Sequence, residues 1–152
     1  MSIKDDINGD LKKALLSNDK QTATTLRGLK SIILDAEISE GKRDTGLSEE
    51  EVIKVLVKAE KQRKESASMY DQAGETERAA AERQEIGIIK QYLPEEVSEE
   101  KINSLIDDAI AGATDVSLQS MGMIIGKVKN AAGPTADGGL IAKLVKDRLG
   151  SK

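Results

Sequence analysis

The sequence predicts an all-α protein: an N-terminal helical domain followed by a small three-helix bundle. Apolar residues recur at intervals of three and four along the whole chain, and no stretch shows the apolar–polar alternation of a strand. Pro94 separates two such regions, because proline disfavours helical geometry in the residue before it. We therefore expect two domains, residues 1–93 and residues 94–152.

Two helices are predicted in the first third of the chain. Ser2 followed by Asp5 is typical of a helix N-terminus, and Asn18 with Asp19 interrupts the pattern. A second helix is expected to stop near Gly41, since glycine commonly follows a helix end. Their buried faces are predicted to hold Ile7, Leu11, Ala14 and Leu15, and Leu26, Leu29, Ile33 and Ala36.

A third helix begins at Ser48, which forms a capping box with Glu51. It is expected to run to a break near Gly74. The fourth helix is expected to pass through Ala79 and to end before Pro94. The predicted stripe of the third helix consists of Val52, Leu56 and Ala59, continued by Ser66, Met69 and Tyr70.

Three short helices follow Pro94. Ser98 is predicted to cap the first and Gly112 to end it; the second runs over residues 117–131, and Asp137 caps the third. Their apolar faces are Ile102, Leu105, Ile106 and Ile110; Met121, Ile124, Ile125 and Val128; and Leu140, Leu144, Val145 and Leu149.

Glycines mark two positions in this C-terminal region. Gly122 and Gly126 lie one turn apart, a spacing that predicts the close approach of another helix. The glycine-rich loop over residues 133–139 has two interpretations, a turn between helices and a phosphate-binding loop. It lacks the lysine and hydroxyl residue of a P-loop, and the Asp137 carboxylate would repel an anion, so a turn is the favoured interpretation.

Composition excludes most kinds of catalytic centre. The chain has no His and no Cys, which removes imidazole bases, thiolate nucleophiles and the common zinc and iron–sulfur ligand sets. The acidic pairs Asp5–Asp6 and Asp107–Asp108 are adjacent in sequence, so on a helix they do not face one another as an acid–base dyad. We predict no catalytic residue, no metal site and no cofactor.

The beginning of the sequence has no apolar segment typical of a secretory signal peptide. No later window approaches the length of uninterrupted apolar sequence that a membrane span needs. These two observations predict a cytoplasmic protein with no membrane partner.

Charge is segregated in the C-terminal region. Residues 95–115 hold seven acids against the single base Lys101, whereas residues 116–152 hold six bases against two acids. This asymmetry predicts a basic face despite the net charge of −4, with solvated helix faces as the alternative. Because Phe and Trp are absent, any RNA would be recognised by shape and backbone rather than by base stacking.

Short segments along the whole chain resemble the YqeY family, and they occur in that family's order. They are LRGLK (26–30), KQRKES (61–66) with Tyr70 and AG (73–74), ERQEI (82–86), YLP (92–94), MG (121–122) with Gly126, and Gly133 with ADG (136–138). The resemblance implies an all-helical protein whose C-terminal domain is similar to the tail of the B subunit of the tRNA-dependent amidotransferase.

That tail contacts tRNA, while the catalytic sites of the amidotransferase lie in other domains or subunits. The resemblance thus implies a non-catalytic protein that binds tRNA or another structured RNA, as an accessory to transamidation, with amidotransferase subunits as further partners. Carbon–nitrogen ligase activity follows by family association only. The alternative is a protein-interaction adaptor that binds no nucleic acid.

The sequence departs from the family at Met123, where members commonly have a lysine after the glycine of the Met–Gly pair. Candidate RNA contacts therefore move to later lysines. They are Lys127, Lys129, Lys143 and Lys146.

Three further polar residues of the family pattern are predicted to be structural, forming polar contacts between the second, third and fourth helices. These are Arg27, Arg63 and Glu65.

Overall fold

A computed structural model describes residues 2–150, and every regular element in that range is helical. The predicted all-α fold is confirmed. The chain divides into two compact units, residues 1–93 and residues 94–152, and each has a separate aliphatic core. The likeness of the second unit to an amidotransferase tail stays a prediction.

The first unit consists of two helix pairs. Its helices are α1 (Ile3–Leu16), α2 (Lys20–Ser39), α3 (Glu49–Gln72) and α4 (Thr76–Lys90). Short turns at residues 17–19 and 73–75 connect the members of each pair, so both pairs are antiparallel hairpins. The predicted caps are confirmed, because the Oγ atoms of Ser2 and Ser48 accept hydrogen bonds from the third backbone amides of their helices.

The core of this unit contains only aliphatic side chains. Its members are Ile7, Leu26, Leu29, Ile33, Val52, Leu56, Ala59 and Ile89. The predicted faces are correct near the middle of each helix and wrong near two ends. Leu15, in the last turn of α1, is 48% exposed, and Met69, in the last turn of α3, is 69% exposed.

Two acidic side chains that the hydrophobic pattern does not reveal are buried in the first unit. The Glu37 carboxylate accepts a hydrogen bond from Lys4 Nζ at 2.8 Å, and Glu60 lies 2.9 Å from Lys64 Nζ. Gly46, with φ +77°, lies against Glu37: a Cβ atom there would lie 3.3 Å from Glu37 Oε2. Because glycine has no side chain, the loop after α2 can pass close to the Glu37 carboxylate at Gly46.

Tyr92 follows α4, and its hydroxyl donates a hydrogen bond to Asp10 Oδ2 on α1 at 2.6 Å. Partial burial, and then the hydrogen bond to the Asp10 carboxylate, raises the pKa of Tyr92 above its usual range. Because the folded state holds this proton more tightly, the associated stability is fully present below the unfolded tyrosine pKa of about 10 and is lost as pH rises beyond it.

We expect Tyr92→Phe to lower the free energy of unfolding by about 1 kcal/mol at pH 7, the usual net value of one hydrogen bond. Above pH 10 the variant should lose less stability than the parent, since it has no phenol to ionise. Urea unfolding followed by circular dichroism between pH 7 and pH 11 measures both effects. Tyr70→Phe is the control, because the Tyr70 hydroxyl makes no hydrogen bond with a described residue. Equal losses in the two variants would contradict the prediction.

The second unit contains α5 (Glu99–Ala111), a 3₁₀ helix (Leu118–Ser120), α6 (Met121–Ala132) and α7 (Gly138–Gly150). The single helix predicted over residues 117–131 is therefore wrong at its start. Ser120 Oγ accepts from the Ser117 backbone amide at 3.2 Å and donates to the Ser117 carbonyl at 2.8 Å, which closes a tighter turn. The core is Ile102, Ile106, Ile124, Val128, Ile141, Val145 and Leu149.

The two glycines of α6, Gly122 and Gly126, do not lie at the close helix contact that the sequence predicts. Among the described residues, nothing outside the local helix backbone lies within 4 Å of a Cβ atom built at Gly122 or Gly126. The buried side of α6 is the side of Ile124 and Val128, and the two glycines lie well away from it around the helix. The expected close approach of another helix is absent from the part of the chain that the structure describes.

Candidate nucleic-acid interface

The N-terminus of α7 is occupied by the protein's own carboxylate. Asp137 Oδ1 accepts hydrogen bonds from the backbone amides of Gly139 at 2.9 Å and Leu140 at 3.3 Å, which confirms the predicted cap. The preceding Gly133 has φ +90°, a conformation that favours glycine. Residues 133–139 thus form a capped turn between α6 and α7, and an incoming phosphate at this helix end would meet a negative charge.

Lys129 extends from α6 to the first residue of α7. A Cβ atom at Gly138 would lie 3.1 Å from Lys129 Cε and 3.2 Å from Lys129 Nζ, so the lysine side chain lies where a larger residue would stand. The absence of a side chain at Gly138 allows this approach. One candidate RNA contact is therefore held at the junction of two helices.

Lys143 and Lys146 are exposed on α7. They are three residues apart, which places them about 60° apart around the helix, and they begin about 7 Å and 12 Å along the axis from Gly138. These two lysines form a basic strip on one side of α7, which we call the α7 strip.

Lys127 lies on a different side of α6 from Lys129. It is two residues before Lys129, and this spacing separates their side chains by about 200° around α6. Lys127 is exposed on the other flank of the helix, which also carries the exposed Met123. Lys143 and Lys146 are thus the two predicted lysines that share one side of a helix.

None of these four lysines forms an ion pair with a described residue. The other base in the described part of α7, Arg148, pairs with Asp107 of α5. The remaining acids of α5 include Glu99 and Glu100, which lie in its first turn, where the helix dipole favours negative charge. Positive charge on α6 and α7 therefore stays available to an external anion.

The three predicted structural polar residues are not brought together. Arg63 Nε donates to Glu85 Oε2 at 2.8 Å, and its Nη1 donates to the Ala59 carbonyl at 3.2 Å, so Arg63 links α3 to α4. Arg27 and Glu65 are exposed, and within residues 2–150 neither has a polar partner. Both side chains are exposed, and the contacts expected for those two residues are absent there.

No three side chains of the acidic, His or Cys type lie together as metal ligands among the described residues. None of the helices that the structure describes is both long and apolar enough to cross a membrane.

Comparison with known proteins matches nearly the whole chain to one family. The family model described as "Yqey-like protein" matches residues 4–149. Two curated relatives are both named "Altered inheritance of mitochondria protein 41, mitochondrial". The one from Clavispora lusitaniae is 38% identical over 84 residues, which are 55% of this chain and 47% of that protein. The one from Vanderwaltozyma polyspora is 32% identical over 106 residues, 65% of this chain and 56% of that protein.

The chain thus spans about half the length of the curated relatives it matches. Their names contradict the prediction of a cytoplasmic location, because both are named as mitochondrial proteins. The prediction rested on the missing apolar segment of a secretory signal. Mitochondrial import uses amphipathic, arginine-rich segments instead, so that observation does not distinguish the cytoplasm from the mitochondrion.

Proposed function

Since the chain belongs to the YqeY family, we propose that it is a non-catalytic helical protein that binds tRNA or another structured RNA through α6 and α7. The observation that carries this proposal is the α7 strip, whose two lysines are, like Lys129, exposed and without an acidic partner among the described residues. Phosphates are the natural partner for such a strip, because neutralising them releases counterions from the nucleic acid.

Two further features support RNA over other polyanions. Lys129, at the first residue of α7, and Lys146 are about 12 Å apart along the helix axis, a spacing that suits separate phosphates of a folded backbone rather than a single small anion. The chain has two tyrosines as its only aromatic residues, so it cannot offer the stacking platform typical of single-strand binding. Recognition of duplex shape and 2′-hydroxyl groups fits this surface best. We propose that the protein acts as an accessory in tRNA-dependent transamidation.

The test is tRNA affinity as a function of salt for the full chain. We expect Lys143→Ala with Lys146→Ala to reduce the magnitude of the salt slope by about two, because each lost phosphate contact removes about one. The loss of affinity should be similar for different structured RNAs, since backbone contacts carry no sequence information.

The matched control is Lys12→Ala with Lys13→Ala, which removes the same charge from exposed positions on α1. It should leave the slope unchanged. Absence of binding by the parent at low salt, or equal slopes for both double variants, would overturn the RNA proposal and favour the protein-interaction adaptor.

A further inference from the structure

A groove of about 560 Å³ runs along the seam between α1 and α2 in the first unit. Ile7 and Ile33 lie beneath it and are 0% and 2% exposed, so the apolar surface open to a ligand is that of the partly exposed Leu11 and Leu34. Pockets of this volume, apolar with a few polar groups, are typical of small-ligand sites. The sequence resemblance and the α7 strip assign no function to this groove.

The two ends of the groove differ in charge. At one end Lys4 is paired with the buried Glu37, so its charge is already compensated. At the other end Arg27 and Lys30 line the groove, and neither has a hydrogen bond or ion pair with a residue of the described range. The groove therefore combines an apolar channel with two uncompensated positive charges near one end.

The distance between the ends defines the size of the occupant. Arg27 and Glu37 are ten residues apart on α2, which corresponds to about 15 Å along the helix. A guanidinium binds carboxylate and phosphate oxygens bidentately, and an ammonium adds a second charged contact. An anionic head at Arg27 and Lys30 would leave the adjoining apolar channel for a single hydrocarbon chain.

We propose that the α1–α2 groove binds a monomeric anionic amphiphile, with its carboxylate or phosphate head on Arg27 and Lys30 and its hydrocarbon tail against Leu11 and Leu34. A free molecule fits better than a bilayer, because the accessible apolar side chains, Leu11 and Leu34, line a groove between two helices. Leu34 is 43% exposed in the structure, and a bound tail would cover it.

The experiment uses the full chain and dodecanoate below its micellar concentration, with titration calorimetry and amide chemical-shift mapping. We expect saturable binding whose shifts cluster on α1 and α2. Arg27→Ala with Lys30→Ala should weaken the affinity by tenfold or more, the usual effect of losing charge-assisted hydrogen bonds. Both residues are exposed without polar contacts to described residues, so the variant should fold normally.

Three comparisons make the test specific. Lys12→Ala with Lys13→Ala removes the same charge from α1 and should bind dodecanoate as the parent does. Leu34→Gln should weaken binding, because it replaces an apolar side chain of the groove with a polar amide. Dodecyltrimethylammonium, which has the same tail and a positive head, should not bind in the groove.

Several outcomes would overturn the proposal. They are equal affinity for the two head groups, unchanged affinity in the Arg27 and Lys30 variant, shifts that lie outside α1 and α2, and binding to anionic vesicles without binding to the monomer. Failure here would leave the RNA proposal untouched, because the α7 strip shares no residue with the groove.

Discussion

Replacing Ile106 by alanine should unfold residues 94–152 and leave residues 1–93 folded. Ile106 is 0% exposed and belongs to a core of seven buried aliphatic side chains. Removing most of a buried isoleucine costs about 2–5 kcal/mol through lost burial and the cavity left behind. A core this small supplies only about 3–5 kcal/mol in total, so the loss is comparable to the whole stability of the unit.

The measurement is a two-dimensional amide NMR spectrum of the full chain at 37 °C. Resonances of residues 94–152 should collapse into the narrow range of unfolded chain, while those of residues 1–93 keep their positions. Ser104→Ala, a substitution at an exposed position of the same helix, should change the free energy of unfolding by no more than about 0.5 kcal/mol. Simultaneous unfolding of both units, or a fully folded Ile106 variant, would refute the prediction.

Breaking the pair of Lys4 and Glu37 should have the second largest effect. The Glu37 side chain is 5% exposed, whereas the Lys4 side chain is 41% exposed and can be removed without a cavity. Lys4→Met would leave a carboxylate buried without its charged partner. We expect the free energy of unfolding to fall by about 3 kcal/mol. This is the lower limit for breaking a buried ion pair, because the Lys4 side chain is partly exposed to water.

Urea unfolding at pH 7 checks this loss, and the double variant Lys4→Met with Glu37→Met is its control. Removing both charges avoids the unpaired buried carboxylate, so the double variant should regain most of the stability. Lys12→Met, on the exposed side of the same helix, should behave as the parent. The interpretation is wrong if the single and double variants are equally unstable.

The helices and their caps could be predicted because each depends on residues close in sequence. The Ser48 and Glu51 capping box is local, and the structure has it where the sequence predicts it. The start of α6 was missed because the Ser117 and Ser120 side chains replace a helical turn with a tighter one. Glu37 was missed because a periodic pattern assigns every charge to the surface, and only its distant partner Lys4 makes burial acceptable.

The candidate sites differ in the same way. That Lys143 and Lys146 share a flank of α7 follows from their spacing alone. The approach of Lys129 to Gly138 depends on how the turn between α6 and α7 closes, which spacing does not determine. The α1–α2 groove needs the relative register of two helices. For that reason the sequence predicts Arg27 as a structural polar contact, whereas in the structure Arg27 lines the α1–α2 groove.

The two hairpins of the first unit also bear on how quickly the protein folds. Turns of three residues join α1 to α2 and α3 to α4, so most packing partners are near neighbours along the chain. Proteins dominated by such local contacts reach their transition state without first closing long loops, and they fold in microseconds to milliseconds. During synthesis, each hairpin can form as soon as its second helix emerges, before the contact between the Ile3 amide and Glu49 joins the two pairs.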